Sequence, residues 1–86
     1  MPRISEFFGI VISMFFDDHP EPHFHAYYAG FEAKITIDEL IIAKGRMPPR
    51  QMAKIREWGT LHREELLVNW DLASRLLPLN KIEPLY

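Results

Sequence analysis

The first half of the chain alternates hydrophobic and polar residues with the period of β-strands. Phe8–Phe16 is an apolar run with apolar side chains on both of its faces, which is typical of a central strand. His23–Ala29 continues in an extended pattern, and Phe31–Ile37 places apolar residues inward and polar residues outward. Leu40–Lys44 is a short fourth strand. Because every link between these segments is short, the pattern predicts an antiparallel meander.

The second half of the chain changes to the period of an α-helix. Pro49 suits a first helical turn, where its missing N–H costs nothing, and no proline follows before Leu77. The apolar residues that recur at steps of three or four are Met52, Ile55, Trp58, His62, Leu66, Trp70, Ala73 and Leu77. We therefore predict one long C-terminal helix over residues 48–77, with a kink at Gly59 as the alternative.

These segments predict a single α+β domain that spans residues 1–86. Residues 1–45 form the four-stranded antiparallel β-meander, 48–77 the helix, and 78–86 an extended tail that packs back on the domain. Apolar residues make up 48% of the chain and aromatic residues 13%, which is rich for this length. Some of this apolar surface is therefore expected to face a partner.

A second apolar stripe runs along the distal part of the predicted helix. Leu61, Val68 and Leu72 recur at i, i+7 and i+11, away from the first stripe. One sheet does not easily cover both stripes of one helix. We therefore predict that Leu61, Leu67, Val68 and Leu72 contact a protein partner or a second copy of the chain.

Composition narrows the class of protein. The absence of cysteine excludes disulfides and thiolate metal sites, and no apolar run approaches the roughly 20 residues that span a bilayer. The N-terminus lacks the layout of a signal peptide, so a cytoplasmic location without membrane attachment is expected. The net charge of −2 gives no global attraction for nucleic acid, and only a local basic patch would bind it.

Histidines cluster around a proline-rich loop. His23 and His25 lie two residues apart on a strand and point to the same side, while His19 and Asp18 precede them. These four residues are a candidate site for a divalent transition metal, and no other cofactor is indicated. The alternative is that the prolines stiffen the loop and the imidazoles hydrogen-bond to the backbone.

The same histidines suggest a metal-free active site. His23 or His25 would act as general acid or base, and Arg46 or Arg50 would stabilise a developing anion, as a small ribonuclease requires. Arg46, Arg50 and Lys54 also surround the predicted helix start, where positive charge opposes the helix dipole and favours an anionic ligand. The alternative is ordinary ion pairing with neighbouring acidic residues on a solvated face.

Several motifs together resemble one family of small prokaryotic proteins, the domain of unknown function 4160. They are Phe7–Ile12, the loop Asp18–His25, the helix residues within Arg56–Trp70, and the ending Lys81–Leu85. The resemblance covers nearly the whole chain, and the histidine-proline loop is its most specific element. Glu21 stands where the family commonly has proline.

The resemblance implies a family without a settled activity. Its members are typically encoded beside another small protein, in an arrangement similar to toxin–antitoxin pairs. We therefore favour a small cytosolic bacterial protein that binds a partner through its distal helix over an enzyme. The alternatives are a phosphodiester-cleaving toxin that uses His19, His23 and His25, with or without a metal, and a metal-binding structural or sensor domain.

Overall fold

A computed structural model describes residues 2–16 and 21–86 and confirms an α+β fold with an antiparallel sheet and C-terminal helices. The strands lie in the sheet in chain order, so the sheet is a meander, as predicted. Its elements are β1 (Arg3–Phe7), β2 (Ile10–Ser13), β3 (His23–Tyr28), β4 (Phe31–Thr36), β5 (Ile42–Gly45), α1 (Pro49–Leu61) and α2 (Arg63–Ser74).

The described residues form five strands, so the prediction of four was wrong. The additional strand is β1, which pairs with β2 through a tight turn at Phe8 and Gly9. Both turn residues have positive φ, 52° and 76°, as a two-residue hairpin of the primed type requires. The predicted strand Phe8–Phe16 therefore begins in a turn. Ala29 and Gly30 form the same kind of turn between β3 and β4, at the predicted position.

The core lies between one face of the sheet and the two helices. Every second residue of the strands points into it, and the tail adds one apolar side chain. Its members include Ile10, Ile12, Met14, Phe24, Ile35, Ile37, Ile55, Trp58, Leu66 and Ile82. Trp58 is central, because its ring contacts both Phe7 and Phe24. The alternate residues of the strands point to the sheet's other face, which carries polar side chains.

The helical region forms two helices rather than the predicted single one. The interruption is one residue, His62, with φ −119° and ψ 23°. Hydrogen bonds still run from the amide of His62 to the carbonyl of Trp58 (3.0 Å) and from the amide of Leu66 to that of His62 (2.9 Å). The helical phase therefore continues through the break, which is why the sequence pattern does not reveal it.

Gly59 lies inside α1 and is buried, and it is not the site of the break. A β-carbon at this position would stand 2.6 Å from Cδ2 of Leu40. Leu40 is itself buried, and it has a positive φ of 56° in the connection between β4 and β5. The glycine therefore permits this connection to pack directly against the helix backbone.

The tail after α2 is extended and binds both the sheet and the helices. The amide of Ile82 donates to the carbonyl of Ile4 at 2.7 Å, on the outer edge of β1. Nζ of Lys81 donates to the carbonyl of Arg3 at 2.8 Å. These contacts close the β1 edge of the sheet, whereas all residues of β5 at the opposite edge are exposed.

Within residues 2–16 and 21–86, neither helix combines the length and the apolar character that crossing a bilayer requires.

Candidate functional site

The sheet face opposite the core carries polar and ionisable side chains, and we call it the histidine face. Antiparallel pairing aligns Ser13, His25, Lys34 and Lys44 in one row across four strands. A second row contains Val11, Tyr27 and Glu32, and a third contains His23 and Thr36. Because directly opposed side chains lie about 5 Å apart, each row brings distant residues into contact range.

The two histidines of β3 are neighbours on this face, with ring centroids 5.4 Å apart. His23 is fully buried, and its Nδ1 lies 2.9 Å from the carbonyl oxygen of Glu21, so this nitrogen carries the hydrogen. Its ring also packs against Trp70 of α2, at 4.7 Å between centroids. A backbone hydrogen bond of this kind matches the structural alternative for the loop histidines.

His25 occupies a different environment from His23. Its ring stacks on Phe15 with centroids 4.5 Å apart and an interplanar angle of 18°. Its Nδ1 lies 3.9 Å from a carboxylate oxygen of Glu32, an exposed residue on β4. The carboxylate of Glu32 is therefore the nearest acidic group of β4 to this ring.

Arg46 continues the polar pattern at the sheet edge. It follows β5, and its amide donates to the carbonyl of Glu32 at 2.9 Å, so the antiparallel pairing with β4 extends to it. His23 and His25 therefore share one face of the sheet, whereas the structure fixes only the backbone of Arg46, at the sheet edge.

Tyr27 completes the second row of the histidine face. Burial raises the pKa of its hydroxyl group above the ordinary value, the hydroxyl of Ser13 opposes this rise, and the carboxylate of Glu32 adds to it. The tyrosine therefore remains a neutral hydrogen-bonding group over a wider pH range than a tyrosine in water.

Two of the predicted metal ligands, His19 and Asp18, lie outside the described residues. Among residues 2–16 and 21–86, no three side chains of histidine, aspartate or glutamate are grouped so that they could hold a metal ion. The remaining two predicted ligands, His23 and His25, instead have aromatic rings packed against them.

The predicted anion-binding residues lie at the junction of β5 and α1. Arg50 is exposed in the first turn of α1, which contains no acidic residue. Lys54, one turn later, places its ammonium group 4.3 Å from the ring centroid of Phe8, in a cation–π contact. Lys54 therefore contacts the β1–β2 turn.

The predicted partner-binding residues are exposed to different extents. Leu61 is 67% exposed, Val68 53% and Leu67 39%, and Leu72 is half-buried. At 3.6 residues per turn, Leu61, Val68 and Leu72 lie along one side of the helical region, and we call them the α2 strip. Leu67 lies about 100° around the helix from Val68 and is not part of this strip.

A cleft of about 260 Å³ adjoins the α2 strip. Val68 and Ile82 give it apolar walls, Asn80 of the tail forms one end, and Glu64 and Glu65 stand along its margin. Glu65 also contacts Nδ1 of His62 at 2.6 Å, which fixes the carboxylate beside the helix break. The cleft is therefore apolar within and acidic at its rim.

The profile of the family described as Domain of unknown function (DUF4160) matches residues 9–71. The chain belongs to this family. No curated protein and no solved structure matches it significantly. The matched part of this DUF4160 chain contains the histidine face and most of the α2 strip, whereas β1, Leu72 and the tail lie outside it.

Sequence reasoning on this DUF4160 chain missed three residues of the histidine face. The sequence pattern indicates only that the polar residues of Phe31–Ile37, which include Lys34 and Thr36, face outward, and that Lys44 ends the predicted fourth strand. The structure aligns Lys34 with Lys44 and places Thr36 beside His23. The alternation in β4 gives the face of each residue, but only the pairing register shows which residues meet.

Proposed function

We propose that this DUF4160 chain is a protein-binding module that docks a partner on the α2 strip. The observation that carries the proposal is the exposure of Leu61 and Val68, both more than half exposed on one side of the helical region. Burying a leucine or valine side chain stabilises an interface by about 1.5–3 kcal/mol each. Such residues are typical anchors of helix-in-groove recognition.

The charges around the strip define the chemistry of the partner. Glu64 and Glu65 are exposed at its margin, and Glu83 is exposed further along the tail. Asp71 is paired with Arg75 at 3.4 Å. An acidic rim around an apolar surface favours an amphipathic helix with a leucine-type row flanked by lysine or arginine. A second copy of the chain would instead place its own acidic rim against this one, and the carboxylates would repel each other.

We infer that the protein which binds this surface is a dedicated partner of the chain. The resemblance to a family whose members are encoded beside another small protein supports a pair of the toxin–antitoxin type. In that arrangement, the α2 strip would bind the product of the adjacent gene. Docking needs neither a metal nor an active site in this chain.

Co-purification of the adjacent gene product with the tagged chain tests this proposal. We expect a 1:1 complex by size-exclusion chromatography with light scattering. The double substitution Leu61→Glu and Val68→Glu should abolish it, because it introduces two charges into an apolar contact. Ile41→Glu is the matched control, since Ile41 is 48% exposed and belongs to the connection between β4 and β5 rather than to the α2 strip. A complex that survives the double substitution refutes docking on the α2 strip.

The same measurement on the chain alone separates hetero-association from self-association. A monomer agrees with the proposal. A homodimer that Leu61→Glu and Val68→Glu dissociate shows that a second copy occupies the strip. Charge reversal by Glu64→Lys and Glu65→Lys should weaken a partner with basic flanks, and an unchanged affinity refutes that part of the proposal.

The second candidate function is that of a phosphodiester-cleaving toxin. The adjacent rings of His23 and His25, 5.4 Å apart, favour it, and Arg46 at the edge of the same sheet is the cation proposed to assist them. In this mechanism one imidazole removes the proton from the attacking hydroxyl, the other protonates the leaving oxygen, and the guanidinium stabilises the phosphorane-like anion. Toxicity on expression that disappears with His23→Ala and His25→Ala supports it. Unchanged toxicity removes these residues from the mechanism.

A further inference from the structure

We propose that β5 is a docking edge to which an extended, acidic segment of another protein adds as a further strand. The two edges of the sheet differ. The tail bonds to the outer edge of β1, whereas residues 41–46 at the β5 edge are all exposed. Among residues 2–16 and 21–86, β4 is the only strand that pairs with β5. The outer side of β5 is therefore accessible to strand addition.

The first argument is the direction of the backbone groups along this edge. The carbonyl of Ile41 accepts a hydrogen bond from β4 at 3.0 Å, and the amide of Arg46 donates one to β4 at 2.9 Å. Successive residues of an antiparallel strand direct their N–H and C=O groups to opposite sides. Ile42 and Gly45, which adjoin these two residues, therefore direct their backbone groups away from β4, where an added strand would lie.

The second argument is the spacing of those outward groups. Ile42 and Gly45 are three positions apart in the chain, but their partners on β4, Ile35 and Ala33, are only two apart. The extra residue is accommodated in a bulge. Hydrogen-bonded pairs recur at every second residue of a regular antiparallel ladder. The bulge therefore gives the two outward residues the spacing that a regular added strand needs.

The side chains along the edge select the chemistry of the added strand. Ile41 and Ile42 are apolar and exposed, at 48% and 36%. Lys44 belongs to a row of the histidine face, whereas Ile42 is opposite the buried Ile35, so the two point to opposite faces of the sheet. Apolar pairs and pairs of opposite charge stabilise neighbouring strands. The occupant is therefore a segment that alternates apolar and acidic residues.

The charges at the two ends of β5 orient this segment. Asp38 and Glu39 are exposed in the connection that precedes β5, and Glu21 lines the cleft beside Lys44. Arg46 is exposed where the chain leaves β5 for α1. Carboxylates of the added segment are therefore repelled from the beginning of β5 and attracted to its end.

A second copy of the chain fits this edge less well than an acidic segment. Lys44 lies in the middle of the exposed edge, so two β5 strands paired about a two-fold axis would place their Lys44 side chains close together. Lysine on an edge strand commonly prevents pairing between identical chains. An acidic segment converts the same lysine into an attractive contact. The edge is also separate from the α2 strip, whose cleft lies beside the tail.

Titration of the ¹⁵N-labelled chain with a synthetic peptide tests the proposal by NMR. The probe has about six residues and alternates valine with glutamate. We expect saturable shifts of the Ile42 and Gly45 amides, and slower hydrogen exchange of both when the peptide is bound. Lys44→Glu should weaken binding about ten-fold or more. Arg56→Glu is the matched control, because it reverses the same charge at an exposed position of α1 and should leave the affinity unchanged.

Two further peptides separate strand addition from attraction between charges. A peptide with lysine in place of glutamate should bind more weakly, and equal binding refutes the preference for an acidic segment. An N-methylated form of the acidic peptide keeps its carboxylates but has no backbone donors, so it should not bind. Equal binding of that form refutes strand addition, as does the absence of saturation with the unmodified peptide.

The state of the chain and the α2 strip complete the test. Leu61→Glu with Val68→Glu should leave peptide binding unchanged, and a loss of binding would place the peptide on the α2 strip and refute the edge site. Slow exchange of the Ile42 and Gly45 amides in a homodimer without peptide would show that a second copy is the occupant. The edge proposal and the docking proposal for the α2 strip can therefore fail independently.

Discussion

The indole nitrogen Nε1 of Trp58 donates a hydrogen bond to the carbonyl oxygen of Glu83 at 2.8 Å. Trp58 is fully buried in the centre of the core, so this bond attaches the tail to α1. We predict that Trp58→Phe lowers the free energy of unfolding by about 2–3 kcal/mol, because it removes the donor and leaves a cavity. Urea denaturation followed by far-UV circular dichroism measures this loss.

Trp70→Phe is the matched control for that substitution. Trp70 is half-buried and packs on Phe16 and His23, and no tail residue depends on its indole nitrogen in the described hydrogen bonds. We expect limited proteolysis to cleave the tail faster in Trp58→Phe than in Trp70→Phe. Equal cleavage would show that Trp58 does not hold the tail.

The buried amide of Asn69 provides a second attachment point. Its Nδ2 donates to the carbonyl of Asn80 at 2.9 Å, and its Oδ1 accepts from the amide of Asn80 at 2.8 Å. We predict that Asn69→Ala lowers the free energy of unfolding by about 2–4 kcal/mol, because two backbone groups lose their partner. Asn80→Ala keeps both bonds, since they involve only the backbone of Asn80. Similar losses in the two variants would contradict the assigned role.

Gly59 and Leu40 form a packing pair that a double-mutant cycle can isolate. Gly59→Ala gains helix propensity of about 1 kcal/mol but forces the new β-carbon against Leu40, and overpacking costs about 1–3 kcal/mol. We therefore expect a net destabilisation of about 1 kcal/mol by chemical denaturation. In a Leu40→Ala background, the same substitution should stabilise the protein. An equal effect in both backgrounds would show that the two residues do not interact.

Tyr27 gives a prediction for alkaline pH. Its pKa in the folded protein is raised by burial, so the folded state holds the hydroxyl proton more tightly than the unfolded state does. This contribution to stability is complete below the unfolded value of about 10 and is lost as the pH rises through the folded pKa. Stability of the natural chain should therefore fall more steeply above about pH 10 than that of Tyr27→Phe.

Tyr86 does not affect the comparison between the natural chain and Tyr27→Phe. Its pKa is also raised, through the hydrogen bond of its hydroxyl to Glu83, but it is present in both proteins. Urea denaturation at a series of pH values gives the two curves. If the stability of the two proteins falls equally steeply above about pH 10, burial does not raise the pKa of the Tyr27 hydroxyl.

The sequence predicts most of the sheet because its inward residues alternate strictly. It missed β1 because the β1–β2 turn uses Phe8, and a bulky residue at positive φ is an uncommon turn residue. The usual signals for such a turn are Asn-Gly and Asp-Gly, and Phe8-Gly9 reads instead as the beginning of an apolar strand. The turn at Ala29 and Gly30 is easier to recognise, because it separates two runs that each alternate with the period of a strand, His23–Tyr28 and Phe31–Thr36.

The break between α1 and α2 could not be predicted from periodicity. Since only His62 leaves the helical conformation and the hydrogen bonds continue on both sides, the apolar positions keep their spacing across it. Gly59 was the more obvious candidate by composition. Its role depends on Leu40, which is 19 positions earlier in the chain and meets it only in the folded structure.

The candidate sites were predictable to different degrees. Helical spacing identified the α2 strip, because that pattern is local, although it did not separate Leu67 from the strip. The shared face of His23 and His25 follows from the period of a strand. The opposition of Lys34 and Lys44 depends on the bulge at Ala43, and no local pattern indicates that shift in register.

The bond between the amide of Ile82 and the carbonyl of Ile4 has a consequence for synthesis of the protein in the cell. The neighbouring contact joins Arg3 and Lys81 across a sequence separation of 78 residues. A nascent chain on the ribosome can therefore pair β1 with β2 long before residues 81 and 82 emerge to cover the outer edge of β1. During that interval the outer edge of β1 exposes unpaired backbone N–H and C=O groups, which are the groups to which strands of other chains add.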